Sequence, residues 1–364
     1  MKFDMNGKNM DRPWKTIILI MIMVVSAAAL SLLPGCRGAD RAVSAENAVS
    51  VSGDDGGSSS GEGGGSGVNG GSANGENDSP EGGEAVDYIY GIPMDENAGV
   101  IKEGAADGYA GPDVKSERIT QALYNQPVSI LQKEQGWAKV KVIDGSTGWM
   151  KLKYIDEAVS SIYGRTFTHR ILITSREKTI YSGPSGGITM AVAPMGTELF
   201  AFNSSGDAYE VFLPGDKTGW VAGSGIIHIK LNEKTPVTNA EDFAATAARF
   251  KGTAYLQNGI SYMGIDAPGL IYICARINGI DLPRSIKGQL DTGTEIKPED
   301  AKAGDLVFLA GSGEKESGTA DCAGICIGGG KYIYAGSRTG YVAVGDINRQ
   351  NADGAVIAAR RIFN

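Results

Sequence analysis

Two Gly-Trp pairs, Gly148-Trp149 and Gly219-Trp220, stand 71 residues apart (219 − 148), and each closes a run of short alternating segments. Residues 116–155 read SERITQALYNQPVSILQKEQGWAKVKVIDGSTGWMKLKYI. Val128 and Ile130, then Ala138, Val140 and Val142, recur at every second position, the period of a strand with one buried face. Glycine-bearing turns break the runs. A second unit, 172–229, repeats the pattern with EKTIYSGPSGG and GTELFAFNSSGDAYEVFLPGDKTGW. This patterning predicts two small all-β barrels, over residues 96–160 and 161–232.

From residue 236 the pattern changes. Thr238 opens TNAEDFAATAARFKG, with Glu241 three residues on and Gly252 beyond the end, so a capping box at Thr238 and a glycine stop are expected. A second helix follows in PGLIYICARINGI, with Pro268 in its first turn and Gly279 after its end. Leu270, Ile271, Ile273, Cys274 and Ile277 form one apolar face, on which Cys274 reads as a small buried hydrophobe. Strand-like runs come after: GDLVFLA, DCAGICIGGG, KYIYAG, GYVAVG and AVIAARRIF. Helices first and an antiparallel sheet afterwards make residues 236–364 an α+β domain.

The N-terminus reads as an export signal. Lys2, Lys8, Arg12 and Lys15 precede an apolar run from Thr16 to Leu33 that ends in LPGC. This predicts a lipoprotein signal peptide over 1–36, with Cys36 lipidated and holding the chain to a membrane; the same run also suits an uncleaved membrane anchor. Residues 37–95 are rich in Gly, Ser and acidic side chains, too polar to offset chain entropy, and read as a disordered tether. About fifty such residues span roughly 40 Å. Between Arg37 and Val100 there are twelve Asp/Glu and two Arg, a net of −10, and residues 1–36 carry +2. The whole chain is −8, so the remainder sums to zero and offers nucleic acid no basic field. Apart from Cys36 the cysteines are Cys274, Cys322 and Cys326, an odd number with no His pair or CxxC beside them. No disulfide, metal site or cofactor is expected.

The AxxFxGTxYL entry, GID before the helix, NGIDLPR after it, KAGDLVFL, GICIGGGKYIYA and the terminal ARRI resemble an NlpC-type, papain-like cysteine peptidase domain over about 238–364. The two GW units resemble bacterial SH3-like barrels. Together they look like the subgroup of γ-D-glutamyl-diamino-acid endopeptidases that cut peptidoglycan stem peptides. The resemblance implies a Cys at the helix N-terminus, a His on a facing strand and an orienting residue after the next turn. Those positions hold Ala267, in Asp266-Ala267-Pro268-Gly269, then Cys322, in Asp321-Cys322-Ala323-Gly324-Ile325, and Tyr334. The resemblance also implies pocket residues. Tyr124, Tyr255, Asp266 and Asp321 stand at its pocket positions; Arg284 and Ser285 lie in LPRSI, where the Asp-Ser pair that binds the substrate amine is replaced by Ser285 and Ile286. Gln257 stands where the family has Trp.

One observation needs no resemblance. The only two histidines, His169 and His228, precede residue 230, so the hydrolase-like domain contains no imidazole. No other side chain accepts a thiol proton as readily near neutral pH. Three readings follow: a non-catalytic binder of a stem peptide or an envelope protein partner; an active cysteine endopeptidase with Cys322 as a relocated nucleophile; or a scaffold that binds through its barrels.

Overall fold

The computed structural model describes residues 87–311 and 319–363. The signal segment, Cys36 and the tether up to residue 86 lie outside the described residues, and no described helix is long and apolar enough to cross a membrane. The tether was expected to run to residue 95, and its last part is instead folded. Tyr88–Ile89 pairs with Ile92–Pro93 in a small hairpin, and Ile92 and Met94 are buried with Val100, Ile162 and Phe200. The apolar residues Ile89, Ile92 and Met94 supply the burial that the glycine-rich stretch before them lacks.

The first barrel consists of β1 (Ala98–Ile101), β2 (Ala105–Tyr109), β3 (Arg118–Leu123), β4 (Pro127–Glu134), β5 (Trp137–Lys141), β6 (Thr147–Lys151) and β7 (Ile155–Asp156). Its strand order is β3-β2-β6-β5-β4-β1-β7. The second consists of β8 (His169–Ile173), β9 (Glu177–Gly183), β10 (Gly186–Pro194), β11 (Glu198–Ser205), β12 (Ala208–Leu213), β13 (Lys217–Ala222) and β14 (Ile226–Lys230). Its order, β10-β9-β13-β12-β11-β8-β14, is that of the first with seven added to every label. The repeat extends to single pairs. Trp149 lies opposite Tyr109 and Lys139, and Trp220 lies opposite Tyr181 and Glu210.

The glycine before each tryptophan has a steric cause. A Cβ on Gly148 would sit 3.0 Å from the carbonyl carbon of Gly108, and one on Gly219 would sit 2.6 Å from Ile180 Cγ2. Each marks where the sheet folds back on itself and strands approach too closely for a side chain.

In the third domain α1 (Ala240–Ala248) and α2 (Ala267–Ile277) pack on one face of a sheet, with a short α3 (Ile286–Leu290) beside them. The sheet holds β15 (Thr294–Ile296), β16 (Leu306–Ala310), β17 (Cys322–Gly328), β18 (Lys331–Ala335), β19 (Val342–Asp346) and β20 (Ala355–Arg361), in the antiparallel order β15-β20-β16-β17-β18-β19. The cap of α1 differs from the expected one. Asn239, not Thr238, accepts the Asp242 N–H through its side chain, and the Thr238 hydroxyl bonds Asn278 Oδ1 at 2.7 Å. Asparagine caps at least as well as threonine, and Thr238 is held by the end of α2.

Helix α2 also exceeds its amphipathic pattern, for nine of its eleven residues are buried. Its inner face meets Leu306, Phe308, Ala323 and Ile325 of the sheet. Its outer side is covered by both barrels, since Leu123 and Met195 join the same core. Those two residues occupy equivalent places, at or just past the ends of β3 and β10, so the duplicated module makes the same insertion twice.

Candidate functional site

Asp266 caps α2. Its carboxylate accepts N–H groups from Gly269 at 2.8 Å and Asn258 at 2.9 Å, and it pairs with Arg284 at 2.8 Å. Burial raises its pKa above the ordinary carboxylate range, while the arginine and the two N–H groups oppose that shift. Arg284 also donates to the Gly259 carbonyl at 3.2 Å. Pro268 sits in the first turn, where a missing N–H leaves no broken bond. Gly269 is required because a Cβ there would lie 2.2 Å from the Gly259 oxygen.

The helix N-terminus opens onto a cleft of about 370 Å³, whose lining includes Tyr255, Asp266, Ala267, Asp321, Cys322 and Asp353. Ala267 and Cys322 therefore share one cavity, and with Tyr334 they share one packed cluster. The three positions implied by the resemblance are brought together. Ala267 is a methyl group. Cys322 opens β17, is 6 % exposed, and has its sulfur 3.9 Å from the carbonyls of Ala323 and Ala335. Burial, reinforced by the negative charge of Asp353, pushes its thiol up to about 12, which leaves roughly one thiolate in 10⁵ at pH 7. Tyr334 lies behind the cleft wall with its hydroxyl 3.2 Å from Thr339 Oγ1, and burial raises its pKa as well.

The other expected pocket residues divide. Tyr255 is half-buried in the cleft, its phenol pKa raised by burial and then by Asp266. Asp321 is exposed on the cleft, and one of its oxygens accepts the Gly311 N–H at 3.0 Å. Arg284 serves Asp266 and does not line the cleft. Ser285 is spent as the N-cap of α3, accepting the Gly288 N–H, and its neighbour Ile286 lines the cleft in its place. Tyr124 is a correction. It lies in the turn after β3, buried with the second-barrel core, and lines a different small cavity with Tyr90, Thr197 and Tyr272. The β3–β4 turn points toward the junction of the three domains, which carries its side chain away from Ala267.

The first barrel reaches the cleft by another route. Glu117 accepts from Gln257 Nε2 at 3.2 Å, the Arg118 carbonyl accepts from Asn258 Nδ2 at 2.7 Å, and Gln121 accepts from the Ile260 N–H at 3.0 Å. Gln257 and Asn258 line the cleft, so the start of β3 fixes one wall.

Sequence reasoning missed Asp353. It is buried, lines the cleft, and accepts the N–H groups of Arg338 at 2.7 Å and Thr339 at 3.2 Å together with the Thr339 hydroxyl. Its only sequence signal is NADG, which reads as an ordinary turn before a strand. The two histidines lie against each other on the second barrel, their ring centroids 3.9 Å apart and their planes tilted by 35°, and neither lines the cleft. Among the described residues no cluster of His, Cys, Asp or Glu is arranged to hold a metal. The cleft offers carboxylates, amides and aromatic surface.

Residues 252–361 match the NlpC/P60 family, and residues 109–156 match the bacterial SH3 domain. The chain is 26% identical over 224 residues to a gamma-D-glutamyl-L-lysine dipeptidyl-peptidase of Bacillus cereus, covering 59% of this chain and 66% of that protein. It is 31% identical over 140 residues to the protein of the same name from Bacillus subtilis, covering 37% of this chain and 47% of that one. The matches thus span just under two thirds and just under half of those relatives. A solved NlpC/P60 family protein from Bacillus cereus superposes with a TM-score of 0.64 at 22% identity, over 73% of this chain and all of that one, a likeness of fold.

Proposed function

From the premise that residues 252–361 are an NlpC/P60 domain preceded by a bacterial SH3 domain, we propose that this chain binds peptidoglycan stem peptide, or an envelope protein partner, without cleaving it. The carrying observation is the pairing of Ala267 with Cys322 in one cleft, in a domain without histidine. A cysteine hydrolase needs a thiolate and a base; here the nearest thiol is buried, protonated and mid-sheet. The cleft is nevertheless kept open, capped and braced by the first barrel. Export and lipid attachment through Cys36 complete the reading and place the binder on the outer side of a membrane.

The relatives named as gamma-D-glutamyl-L-lysine dipeptidyl-peptidases suggest the ligand to try first, a peptide beginning L-Ala-γ-D-Glu-diamino acid. Calorimetry with that peptide should give saturable heat, while chromatography of the same samples shows it intact from pH 5 to 9. Turnover that iodoacetamide abolishes and Cys322→Ala removes would overturn this reading in favour of the relocated nucleophile. Binding that survives a bulky change at Ala267 would move recognition to the barrels. The anchor is tested separately: Cys36→Ala should release the chain from membranes or leave a precursor.

A further inference from the structure

The two histidines of the chain come from β8 and β14, strands that lie side by side in the second barrel. His169 opens β8, and His228 stands two places before Lys230 at the end of β14. In the ladder Lys230 is opposite His169 and His228 is opposite Ile171, so the imidazoles are diagonal neighbours on one face. Their ring centroids are 3.9 Å apart, and the Tyr209 ring lies 5.0 Å from His228. His169 is half-buried and His228 exposed, so both can exchange protons with solvent.

Among the described residues no carboxylate is bonded to either imidazole. On β14 the neighbouring charge is Lys230, which faces the same way as His169 and pairs with Glu233 at 3.0 Å. On β8 Arg170 alternates to the other face, where it binds Glu198 and the Tyr90 hydroxyl. β11 sets Ala201 opposite His169. β12 offers the Tyr209 phenol, while Glu210 turns away to Asn203 and Thr218. β13 meets Tyr209 with Val221, and Asp207, in the turn before β12, faces Gly223 and Lys178. Burial lowers the His228 pKa below its ordinary 6.5, and the charge of His169 lowers it further.

β14 is the edge strand of its sheet, hydrogen-bonded to β8 alone among the described residues. It runs into residues 231–239, the lead-in to α1, where the Glu233 carbonyl accepts from the Arg170 guanidinium. We infer that the His169–His228 contact is an acid-sensitive latch. With one imidazole neutral it holds β14 on β8; with both protonated it releases that strand and the lead-in to the third domain. Two imidazolium charges this close, beside Lys230, repel one another, and a strand with a single neighbour is where the repulsion is relieved. The folded edge favours the neutral pair. Its contribution to stability is therefore complete above pH 6.5 and is lost as pH falls below that value. The inference is independent of what the cleft binds.

The test is amide hydrogen exchange of the full chain at pH 7.5 and pH 5, with each rate corrected for the intrinsic effect of pH. Ile226–Lys230 is followed, and β4 of the first barrel is the reference. Between the two pH values protection of Ile226–Lys230 should fall about tenfold more than that of β4, the order of one like-charge repulsion at this distance. His169→Gln and His228→Gln each leave one imidazole, and either should remove most of that extra fall. With two histidines the proton NMR spectrum is simple. The parent should show two separate protonation steps, and the imidazole left in either variant should titrate above the lower of them. Sodium chloride at about 1 M, which screens exposed charges, should shrink the fall in the unmodified chain, a readout that needs no variant to fold. Equal changes in protection for β14 and β4 overturn the inference. So does an extra fall that stays undiminished in salt or in a folded variant.

Discussion

The helix N-terminus at residues 266–269 separates folding from chemistry. Asp266, Pro268 and Gly269 each have a structural task that Ala267 lacks: cap, first turn, close approach. Restoring Ala267→Cys alone should therefore yield a folded protein with no peptidase activity, because no imidazole faces the sulfur. Adding Cys322→His and Tyr334→His is the smallest change that supplies the missing groups, and weak turnover is the result to look for in a peptide-release assay. The thiols give a second prediction. Burial pushes Cys322 and Cys326 up to about 12 and raises Cys274 further. None of the three should be alkylated by iodoacetamide at pH 8 until urea unfolds the chain, as read by peptide mass mapping. The Asp266–Arg284 pair gives a third. Arg284→Ala strands a buried carboxylate and should cost about 3 kcal/mol at pH 7 by urea denaturation. Because burial raises the Asp266 pKa, the folded state favours its protonated form, and that preference weighs against stability as pH climbs past the unfolded value of 3.8. Removing the arginine raises the pKa further, so the loss should shrink as pH falls toward 4.

At the scale of elements, α2 shows where a periodic pattern stops short. Leu270, Ile271, Ile273, Cys274 and Ile277 announce a helix with a buried face, and the sequence leaves the remaining side to solvent. In the structure Ile273 meets the turn after β10, where Gly196 has φ +87° and a Cβ would lie 2.5 Å from Ile273 Cδ1. On the same side Arg276 approaches Glu198 at 3.6 Å, which also pairs with Arg170 at 2.7 Å and takes the Tyr90 hydroxyl. Gly196→Ala must strain the turn and push against the helix together, so a loss of about 1–2 kcal/mol is expected. Gly206, also at positive φ but with open space around its Cβ, is the control and should lose less. Both are read from urea midpoints at constant slope.

Across the whole molecule, one core runs through three modules. Leu123 of the first barrel, Met195 of the second and the α2 face lie in a single buried cluster. Unfolding any one module exposes part of that cluster, so the described portion should unfold as one cooperative unit. Trp137, Trp149 and Trp220 all report from the barrels, whereas α1 and α2 lie in the third domain. Tryptophan fluorescence and helical circular dichroism should give the same urea midpoint; two separated midpoints would mean that the barrels fold apart from the domain they brace.

The sequence by itself determined what local rules can write: two alternating-strand modules, an α+β domain after them, a helix with Pro268 in its first turn and the absence of any imidazole beyond residue 228. Strand period, turn glycines and residue chemistry are properties of neighbours along the chain, so they are legible there. Tertiary structure alone decided the rest. Tyr124 and Ser285 sit in motifs that suggest a pocket, yet one is turned into the barrel junction and the other caps α3, because direction depends on what packs against the turn. Asp353 reaches the cleft only because the loop before β20 folds over Gly336 and Thr339, partners more than a dozen residues away. Burial and contact across distant segments are set by packing, which no window of the sequence contains.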